Sequence, residues 1–502
     1  MRLPLLQILA TSLLVSALPT PPSPYNATVL ILGGGVSGVI AARTLHRLSP
    51  STSFLIVEAR HELGGRLQST RFPSPSGEGE GYAVELGANW VHGTQTLGFE
   101  QVNPVWEMVK QWDVQTRVSD YYGSMTTYDH TGEAAYLPLL NDSLAAYAAL
   151  VASAPLPGLQ EPGSASARDG YDSLGYTPRT PHEQVAEYYT FDWEYADGPE
   201  RTSWWASGVS TNATYEPTAG GFSRSNHFSI DPRGFSHFLK SEAGSFLDPT
   251  QVLLNSTVTA QGEETGVEVT LANGEVLRAE YAVCTFSLGV LQGGAVEWDA
   301  GLMPPRKKEA VEAMSMGVFT KIFLQFSQKF WFDTEFALYA DPQERGRYAV
   351  WQSLDHPEFW PGSGVLFVTV TGDFARRVDA MPEEEVKAEV LDVLGKMYPN
   401  VTIPEPMAFH IPHWLSDPLF RGSYSNWPAN FTREEHGILR AKTGGRGGKG
   451  RVRFAGEHTS ERWFGFLHGA YYEGMSAAEE MVECIEGGSG CEEVRDFDLS
   501  DD

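Results

Sequence analysis

A glycine-rich loop close to the N-terminus constrains the fold of this chain more than any other feature. The apolar run Thr28–Leu32, typical of a β-strand, leads into Gly33-Gly34-Gly35-Val36-Ser37-Gly38, and a helix-forming segment follows. A second strand-like run, Ser53–Val57, ends at Glu58. This order of strand, GxGxxG loop, helix, strand and acid is the dinucleotide-binding fingerprint. The sequence therefore predicts a Rossmann-type unit that binds a nucleotide cofactor.

The residues of this fingerprint have separate physical roles. Gly33 permits the tight turn, Gly35 lets backbone amides approach a pyrophosphate, and Gly38 lets the helix pack closely on the strand. Glu58 is expected to accept hydrogen bonds from ribose hydroxyls. The remaining predicted cofactor contacts of the loop are Val36 and Ser37.

A second pair of glycines favours a flavin over a nicotinamide nucleotide. After Glu58 the chain continues as Ala59-Arg60 and then Leu63-Gly64-Gly65-Arg66, an arrangement not expected of a nicotinamide dehydrogenase. A guanidinium at Arg66 can form charge-assisted hydrogen bonds with a pyrophosphate. We therefore predict that Arg60, Gly65 and Arg66 belong to an FAD site, and we predict no metal site.

The N-terminal segment resembles a secretory signal. Met1-Arg2 precedes the apolar run Leu3–Leu14, and small residues close it at 15–17. A signal anchor is the alternative, disfavoured because the run is shorter than the ~20 residues that span a bilayer. The sequence therefore predicts a signal peptide at 1–17 and a secreted, extracellular or cell-wall protein with no membrane association after its removal. Glycosylation sequons occur at Asn26, Asn141, Asn212, Asn255, Asn400 and Asn430.

Charge and cysteine content narrow the partners and the compartment. The formal net charge of −28 argues against nucleic acid and favours small cations as partners, although acidity can also serve only solubility. Cys484 and Cys491 are close enough in sequence for one local disulfide, which leaves Cys284 free and suits an oxidising compartment.

Other segments give a coarse view of the rest of the chain. The run Val267–Leu271, followed by Asn273-Gly274, predicts a β-hairpin, and residues 383–397 predict an amphipathic helix. The Pro-, Gly- and Ser-rich stretch Ser153–Pro181 predicts a surface loop or the edge of a lid. Thr443–Gly450 predicts a connection before a strand rather than a phosphate loop.

The motifs together resemble the flavin-containing amine oxidases, and within them the polyamine oxidases. The N-terminal motifs are GGGVSG, Glu58-Ala59-Arg60 and Glu85-Leu86-Gly87-Ala88-Asn89-Trp90-Val91-His92-Gly93. The later ones include Phe319-Thr320-Lys321-Ile322-Phe323, Gly422-Ser423-Tyr424-Ser425-Asn426-Trp427-Pro428 and Phe454-Ala455-Gly456-Glu457-His458-Thr459. They occur in the family's order from about residue 26 to 491, so the resemblance covers almost the whole mature chain.

The resemblance implies an α/β fold in which a Rossmann-type FAD-binding domain of the GR2 type is interleaved with an α+β substrate-binding domain. We expect the FAD-binding domain at 26–110, 226–310 and 415–490, the substrate-binding domain at 111–225 and 311–414, and an acidic tail at 491–502. Since the segment Tyr424–Trp427 contains no cysteine, the FAD should be bound non-covalently.

The resemblance also assigns cofactor contacts along the chain. It implies that Val258 touches the adenine side and that Glu457 holds the ribityl or phosphate region. The final helix, from about Gly469, would direct its N-terminus at the flavin, where the helix dipole favours negative charge. The remaining cofactor contacts that it implies are Gly87, Ala88, Asn89, Trp90, Val91, Trp427, Gly456, Phe466 and Leu467.

At the reacting end, Lys321 matches the family lysine that holds a water near the flavin, and it lies in an otherwise apolar strand. His92 stands where the plant terminal-catabolism enzymes have glutamate and resembles the back-converting enzymes that favour spermine or acetylated polyamines. We predict these two as catalytic residues. The predicted substrate-binding residues are Trp90, Trp193, Glu194, Phe319, Tyr424, Trp427 and Phe466.

The segment Tyr188–Tyr195 supplies aromatic walls and carboxylates, which suit a polycation. An aromatic core stripe on a helix is the alternative reading of this segment. Phe319 and Phe466 occupy positions where the plant enzymes have tyrosine, so the orientation of the substrate is left open.

The implied reaction is oxidation of spermine, spermidine or acetylated derivatives by a monomer, with O₂ as acceptor, to an aminoaldehyde, a shorter amine and H₂O₂. Three alternatives stay open: an L-amino-acid oxidase, another amine oxidase such as a monoamine oxidase, and a secreted flavoprotein without catalysis. A chromatin demethylase is disfavoured by the signal sequence.

Overall fold

The computed structural model describes residues 27–77, 79–154, 164–262, 266–444, 450–488 and 491. The predicted signal peptide, the sequon at Asn26 and the acidic tail after Cys491 lie outside the described residues.

The strands, in chain order, are β1 (Ala27–Leu32), β2 (Phe54–Val57), β3 (Ser69–Phe72), β4 (Tyr82–Glu85), β5 (Trp90–Val91), β6 (Thr116–Val118), β7 (Met125–Asp129), β8 (Gly132–Glu133), β9 (His227–Ser229), β10 (Val252–Leu253), β11 (Val258–Gly262), β12 (Val267–Leu271), β13 (Val276–Cys284), β14 (Glu297–Trp298), β15 (Ser315–Gly317), β16 (Phe319–Gln325), β17 (Phe336–Ala340), β18 (Val350–Ser353), β19 (Val365–Thr371), β20 (Ala408–His410), β21 (Tyr424–Asn426) and β22 (Val452–Phe454).

The helices are α1 (Val36–Leu48), α2 (Pro104–Gln111), α3 (Leu137–Ser153), α4 (Ala167–Ser173), α5 (Pro181–Glu187), α6 (Trp193–Tyr195), α7 (Trp204–Tyr215), α8 (His237–Gly244), α9 (Leu288–Gln292), α10 (Pro305–Ala313), α11 (Gly372–Ala380), α12 (Glu383–Met397), α13 (Arg433–Arg440) and α14 (Leu467–Ile485). A π-helical segment, Tyr188–Asp192, joins α5 to α6. Short 3₁₀ segments occur at Pro217–Ala219, Pro249–Gln251 and Glu457–Thr459.

The first large sheet has the strand order β10-β2-β1-β13-β12-β11-β14, and β22 also pairs with β13. Strands β10, β2, β1, β13 and β22 are parallel, and Leu32 lies opposite both Val57 and Cys284. The apolar run of β1 is completely buried from Val29 to Leu32, as expected for the centre of a parallel sheet. Helices α1 and α14 pack together beside it. This arrangement confirms the predicted Rossmann-type unit.

The second large sheet has the order β20-β16-β19-β18-β17-β7-β8 and is antiparallel except between β17 and β7. Helix α12 spans the predicted residues and buries Val386, Val390 and Leu394 against this sheet. The α/β fold with an α+β part is therefore confirmed. The two sheets draw on alternating stretches of the chain, and the exact domain boundaries stay a prediction.

Two local predictions have different outcomes. The hairpin of β12 and β13 is confirmed, with Gly274 at φ +84° in its turn. The stretch Ser153–Pro181 is not simply a loop, because α4 forms within it and residues 155–163 lie outside the described part. A capping box between Ser166 and Asp169 starts α4, and a Cβ at Gly170 would lie 2.5 Å from Leu150, so this short helix packs into the core.

The cysteines are arranged as predicted: Cys484 is bonded to Cys491, and Cys284 is free and buried at the end of β13. Within the described residues, no helix combines the length and the apolar character that crossing a bilayer requires.

Candidate active site

A cavity of about 490 Å³ runs from the carboxyl ends of the parallel strands to β16 of the second sheet. Its volume is within the range of cofactor and ligand sites. The predicted site residues that line it are Gly33, Gly35, Val36, Ser37, Glu58, Gly65, Arg66, Gly87, Ala88, Asn89, Trp90, His92, Trp193, Glu194, Val258, Phe319, Lys321, Tyr424, Gly456, Glu457, Phe466 and Leu467. The tertiary structure thus brings together residues from all along the chain.

The glycine loop is shaped by close backbone approaches. Gly33 has φ +106°, and a Cβ at Gly38 would lie 1.9 Å from the Gly33 carbonyl oxygen. The Glu58 carboxylate accepts hydrogen bonds from the backbone N–H groups of Gly34 at 2.6 Å and of Arg60 at 2.8 Å. Gly38 itself does not line the cavity, because its role is to let α1 pack against the loop.

Arg60 also lies behind the cavity wall rather than on it. Its guanidinium donates to the Gly65 carbonyl at 3.2 Å and pairs with Glu62 at 3.5 Å. Gly65 has φ +58°, and a Cβ there would lie 3.1 Å from the Gly35 Cα. Arg60 therefore supports the second glycine turn where it meets the first, and it makes no direct contact with the cavity.

An ion pair lies in the wall of the cavity. Arg66 Nη1 lies 2.9 Å from Glu457 Oε1 and donates at 2.7 Å to the Ser423 carbonyl. The Glu457 carboxylate also accepts from the Gly465 N–H at 2.7 Å. Burial acts to raise the pKa of Glu457, but Arg66 and the hydrogen-bond donors outweigh it, so the net pKa is lowered. The Glu457 carboxylate is thereby held ionised, and the pair is fixed in position.

Two helix N-termini at the cavity wall fit the predicted FAD. Helix α1 begins after Gly35, which has no side chain, and α14 begins after Phe466, whose side chain cannot accept a hydrogen bond. The first-turn N–H groups of both helices therefore lack side-chain caps and favour negatively charged groups. Gly87 adds a close approach on the same wall, since a Cβ there would lie 1.8 Å from the Arg66 carbonyl oxygen. The residues present fit an FAD with its pyrophosphate at α1 and its ring near α14.

Lys321 is a buried basic residue at the β16 end of the cavity. Its side chain on β16 is 2% exposed, and Nζ donates to the carbonyl oxygens of Gly87 at 2.6 Å and Glu85 at 3.2 Å. Burial lowers the pKa of Lys321 to about 7, and Glu85 opposes the shift. In its protonated form the amino group has three N–H donors, which leaves one for a water in the cavity.

Aromatic rings line the part of the cavity next to Lys321, which we call the chamber. Trp193 contacts both Trp90 and Phe319, with ring centroids at 5.5 and 6.1 Å, and Phe319 lies 5.9 Å from Tyr424. His92 packs edge-on against Phe466 at 5.2 Å. Such walls suit an aliphatic chain with cationic groups.

Glu194 is the carboxylate of this chamber. Within the described part of the chain no group donates a hydrogen bond to its carboxylate, whereas its carbonyl oxygen accepts from Tyr424 Oη at 3.1 Å. Burial raises the pKa of Glu194 to about 7. The carboxylate is therefore available to bind a ligand. A cationic ligand would offset the free-energy cost of burying its negative charge.

His92 lines the same chamber as a neutral group. Burial lowers the pKa of His92 to about 4, so its imidazole is uncharged at neutral pH. It can accept or donate one hydrogen bond there, and it adds no charge beside Glu194.

Trp427 does not face the cavity, which corrects the prediction made from the resemblance. Its ring is completely buried, and Nε1 donates to the Phe431 carbonyl oxygen at 2.6 Å. It stacks on His436 at 4.7 Å, behind the wall that Tyr424 and Ser425 provide. Val91 is also buried and does not line the cavity. Successive side chains of a β-strand point to opposite faces, so Val91 lies on the face of β5 opposite to Trp90.

Sequence reasoning missed several residues of the wall, including Thr285 and Phe286. Both follow β13 directly, beside the carboxyl end of β1. Ligands of open α/β sheets bind outside the carboxyl ends of the strands, and this rule could have identified them. Trp414, which a Cβ at Gly87 would meet at 3.4 Å, carries no comparable signal. Among the described residues no three metal-ligating side chains cluster.

Comparison with known proteins gives a consistent result. The model of the flavin-containing amine oxidoreductase family matches residues 36–482. Polyamine oxidase 7 of Oryza sativa subsp. japonica is 34% identical over 469 residues, covering 89% of this chain and 93% of that protein. Polyamine oxidase 1 of Zea mays is 34% identical over 484 residues, covering 91% of each. A solved structure of putrescine oxidase has a TM-score of 0.68 at 16% identity, covering 91% of this chain and 99% of that one, and it bears on the fold alone.

Proposed function

Because this chain belongs to the flavin-containing amine oxidoreductase family and is an FAD-dependent amine oxidase, we propose that its substrates are polyamines. In the proposed reaction, spermine, spermidine or an acetylated derivative reacts with O₂ and water to give an aminoaldehyde, a shorter amine and H₂O₂. The observation that carries the proposal is the carboxylate of Glu194 inside an aromatic chamber, to which none of the described residues donates a hydrogen bond. The two plant relatives named polyamine oxidases support it.

Bound FAD would supply the acceptor for the two electrons that leave the CH–NH group of the amine as it becomes an imine. Every remaining task falls to the chain. Glu194 binds a distal ammonium group, and the rings of Trp193 and Phe319 hold the methylene chain between that group and the reacting nitrogen. This positioning accounts for a preference for amines with a second cationic nitrogen over simple monoamines.

Lys321 orients water in the chamber. Two of its donors are used by the Glu85 and Gly87 carbonyls, which fix Nζ in place. In the protonated form its third donor can hold a water beside the reacting carbon. That water is available to hydrolyse the imine product. Neutral His92 provides a hydrogen-bonding group without repelling the substrate cation, so an amine nitrogen or an acetamide group can lie against it.

The residues that line the cavity disfavour amino acids and monoamines as substrates. An L-amino-acid oxidase is expected to pair the substrate carboxylate with an arginine. Among the described residues that line the cavity Arg66 is the arginine, and it is already paired with Glu457. The oxidation of monoamines does not use the Glu194 carboxylate at all.

Peroxide release on a panel of spermine, spermidine, N1-acetylspermine, benzylamine, leucine and phenylalanine tests the proposal, with the aldehyde products identified. Polyamine turnover at least tenfold above that of benzylamine and the amino acids is expected. A 3-acetamidopropanal product would assign the acetylated substrates. Turnover of amino acids alone would support the L-amino-acid oxidase, and a bound flavin that no amine reduces would support a non-catalytic flavoprotein.

We further propose that the enzyme is secreted and binds FAD without a covalent link. The signal-like residues 1–17 and the absence of cysteine from 424–427 support these two points. Release of free FAD on acid denaturation, with the protein left colourless, is the expected result for the second.

A further inference from the structure

The residues that carry Trp193 and Glu194 into the chamber follow an unusual turn of helix. Tyr188–Asp192 is π-helical and separates α5 from α6, and we call it the π turn. A π turn closes i→i+5 rather than i→i+4 hydrogen bonds, is intrinsically rare, and needs support from its surroundings. Because the π turn lies immediately before Trp193 and Glu194, its geometry determines the directions in which these two side chains point.

Arg345 spans this turn with one guanidinium group. It forms a bidentate pair with Asp192, with Nη2 to Oδ2 at 2.7 Å, and Nη2 also lies 2.9 Å from Glu187 Oε2. Glu187 is the residue before the π turn and Asp192 is its last residue. In an α-helix of 3.6 residues per turn, side chains five apart point roughly 140° away from each other. One guanidinium can hold both carboxylates because the wide turn brings them to the same face.

The partners of this cluster are buried. Glu187 is 0% exposed and Asp192 is 4% exposed, and Arg168 adds a second cation to Glu187 at 2.7 Å. Removal of one member of a buried charge group leaves its partners uncompensated. The cluster therefore favours the π conformation strongly over any form that separates Glu187 from Asp192.

The loop that carries Arg345 packs closely against the π turn. Asp341 Oδ1 accepts from the N–H groups of Gln343 and Glu344, at 2.9 and 3.0 Å, which orders the loop. Gly346 has φ +82°, and a Cβ there would lie 2.4 Å from the Tyr188 ring. Thr190 Oγ1 also donates to the Glu187 carbonyl at 3.2 Å, inside the turn.

We infer that Arg345 is a positioning residue for substrate recognition, which locks the π turn through Glu187 and Asp192 and so sets the direction in which Glu194 faces the chamber. The inference rests on the proposed function, because Glu194 matters here as the group that binds the distal ammonium. Arg345 itself does not line the cavity. Its loss therefore acts on substrate binding through Glu194, and the reacting end near Lys321 keeps its geometry.

The test compares Arg345→Gln with Arg377→Gln. Arg377 is a matched control, because it forms a bidentate pair on the surface with Glu344, the sequence neighbour of Arg345. Arg377 does not touch the π turn. For FAD-loaded Arg345→Gln, KM for spermine should rise between about 10- and 100-fold with kcat within about threefold, as expected from a misplaced binding group. The optimum chain length in a series of diamines from putrescine to 1,8-diaminooctane should shift or broaden.

Asp192→Asn keeps the side-chain shape and gives the same readout should Arg345→Gln fold poorly. The KM effect of Arg345→Gln should disappear when Glu194→Gln is already present. An unchanged KM and chain-length profile in either folded variant, while Glu194→Gln alone raises KM, would overturn the inference. A Glu194→Gln enzyme with unaltered KM would instead remove the proposed function of Glu194, so the two failures are distinguishable.

Discussion

Arg66 and Glu457, which are 391 positions apart in the chain, form an ion pair of 2.9 Å in the wall of the cofactor cavity. The pair joins the second glycine turn, beside β1 and α1, to the 3₁₀ segment that precedes α14. Ser425 also donates to the Glu457 carboxylate. The cavity can therefore form only when the N-terminal and C-terminal parts of the chain have come together.

Glu457→Gln should weaken FAD retention by about tenfold or more, because it leaves the Arg66 charge without its partner. The FAD-to-protein ratio after gel filtration measures this effect. Glu461→Gln, which removes the partner of the more exposed Arg433, serves as the control and should retain FAD. Equal ratios in both variants would contradict a role for the ion pair.

The same pair predicts a direction for acid stability. Since the pKa of Glu457 is lowered from its ordinary value of 4.5, its contribution to the free energy of unfolding is present above that value and is lost as the pH falls below it. Thermal unfolding scans between pH 6 and pH 3 should show a steeper loss of stability in the wild type than in Glu457→Gln. Parallel curves would argue against the assignment.

Lys321→Met should retain FAD but slow flavin reduction or reoxidation by at least about 100-fold, because a positioned group is removed from the reacting end. Anaerobic mixing with spermine, followed by mixing with O₂, separates the two half-reactions. Lys307→Met is a suitable control, since Lys307 is also fully buried but donates to the Leu439 and Ala441 carbonyls away from the cavity. The control should lose stability and keep both rates; wild-type rates in Lys321→Met would end the assignment.

His92 should contribute no inflection to the pH dependence of kcat/KM between pH 6 and 9. Because burial lowers the pKa of His92 to about 4, the imidazole is neutral throughout that range. His92→Asn should therefore change KM for polyamines while its pH profile keeps the wild-type shape. An inflection near pH 6.5 that is present in the wild type and absent from the variant would show that His92 titrates in the working range.

Trp427→Phe should lower the free energy of unfolding by about 2–3 kcal/mol, because the Phe431 carbonyl loses its donor and the core loses ring volume. KM for polyamines should remain unchanged, since Trp427 does not reach the cavity. Trp193→Phe, on the cavity wall, is the matched comparison and should raise KM. A raised KM in Trp427→Phe with full stability would return this residue to the substrate site.

Asn400 should carry an N-glycan when the chain passes through a eukaryotic secretory pathway. Asn400, Val401 and Thr402 are all exposed in the loop after α12, whereas Asn212 is half-buried on α7 with its sequon residue Thr214 completely buried. Intact mass measurement should show loss of one glycan in Asn400→Gln and no change in Asn212→Gln. Identical masses in wild type and Asn400→Gln, apart from the substitution, would contradict the prediction.

Local features of the sequence were sufficient for the nucleotide-binding unit. The glycine loop, Glu58 and the alternation around Asn273-Gly274 impose their geometry through contacts between near neighbours. The same is true of α12, whose apolar spacing corresponds to one buried face. In contrast, α4 was overlooked because a helix of seven residues with a glycine at its centre depends on packing against Leu150 and Trp204 rather than on its own propensity.

The motifs of the sequence determined the family, the cofactor and about half of the residues on the cavity wall. Only the tertiary structure decided which member of a motif faces the cavity: Tyr424 does, whereas Trp427, three positions later, lies in the core. The π turn before Glu194 is likewise paired with Arg345, more than 150 positions away in the chain. The physical reason is that side-chain direction and buried ion pairing are set by contacts between distant segments, which no local spacing records.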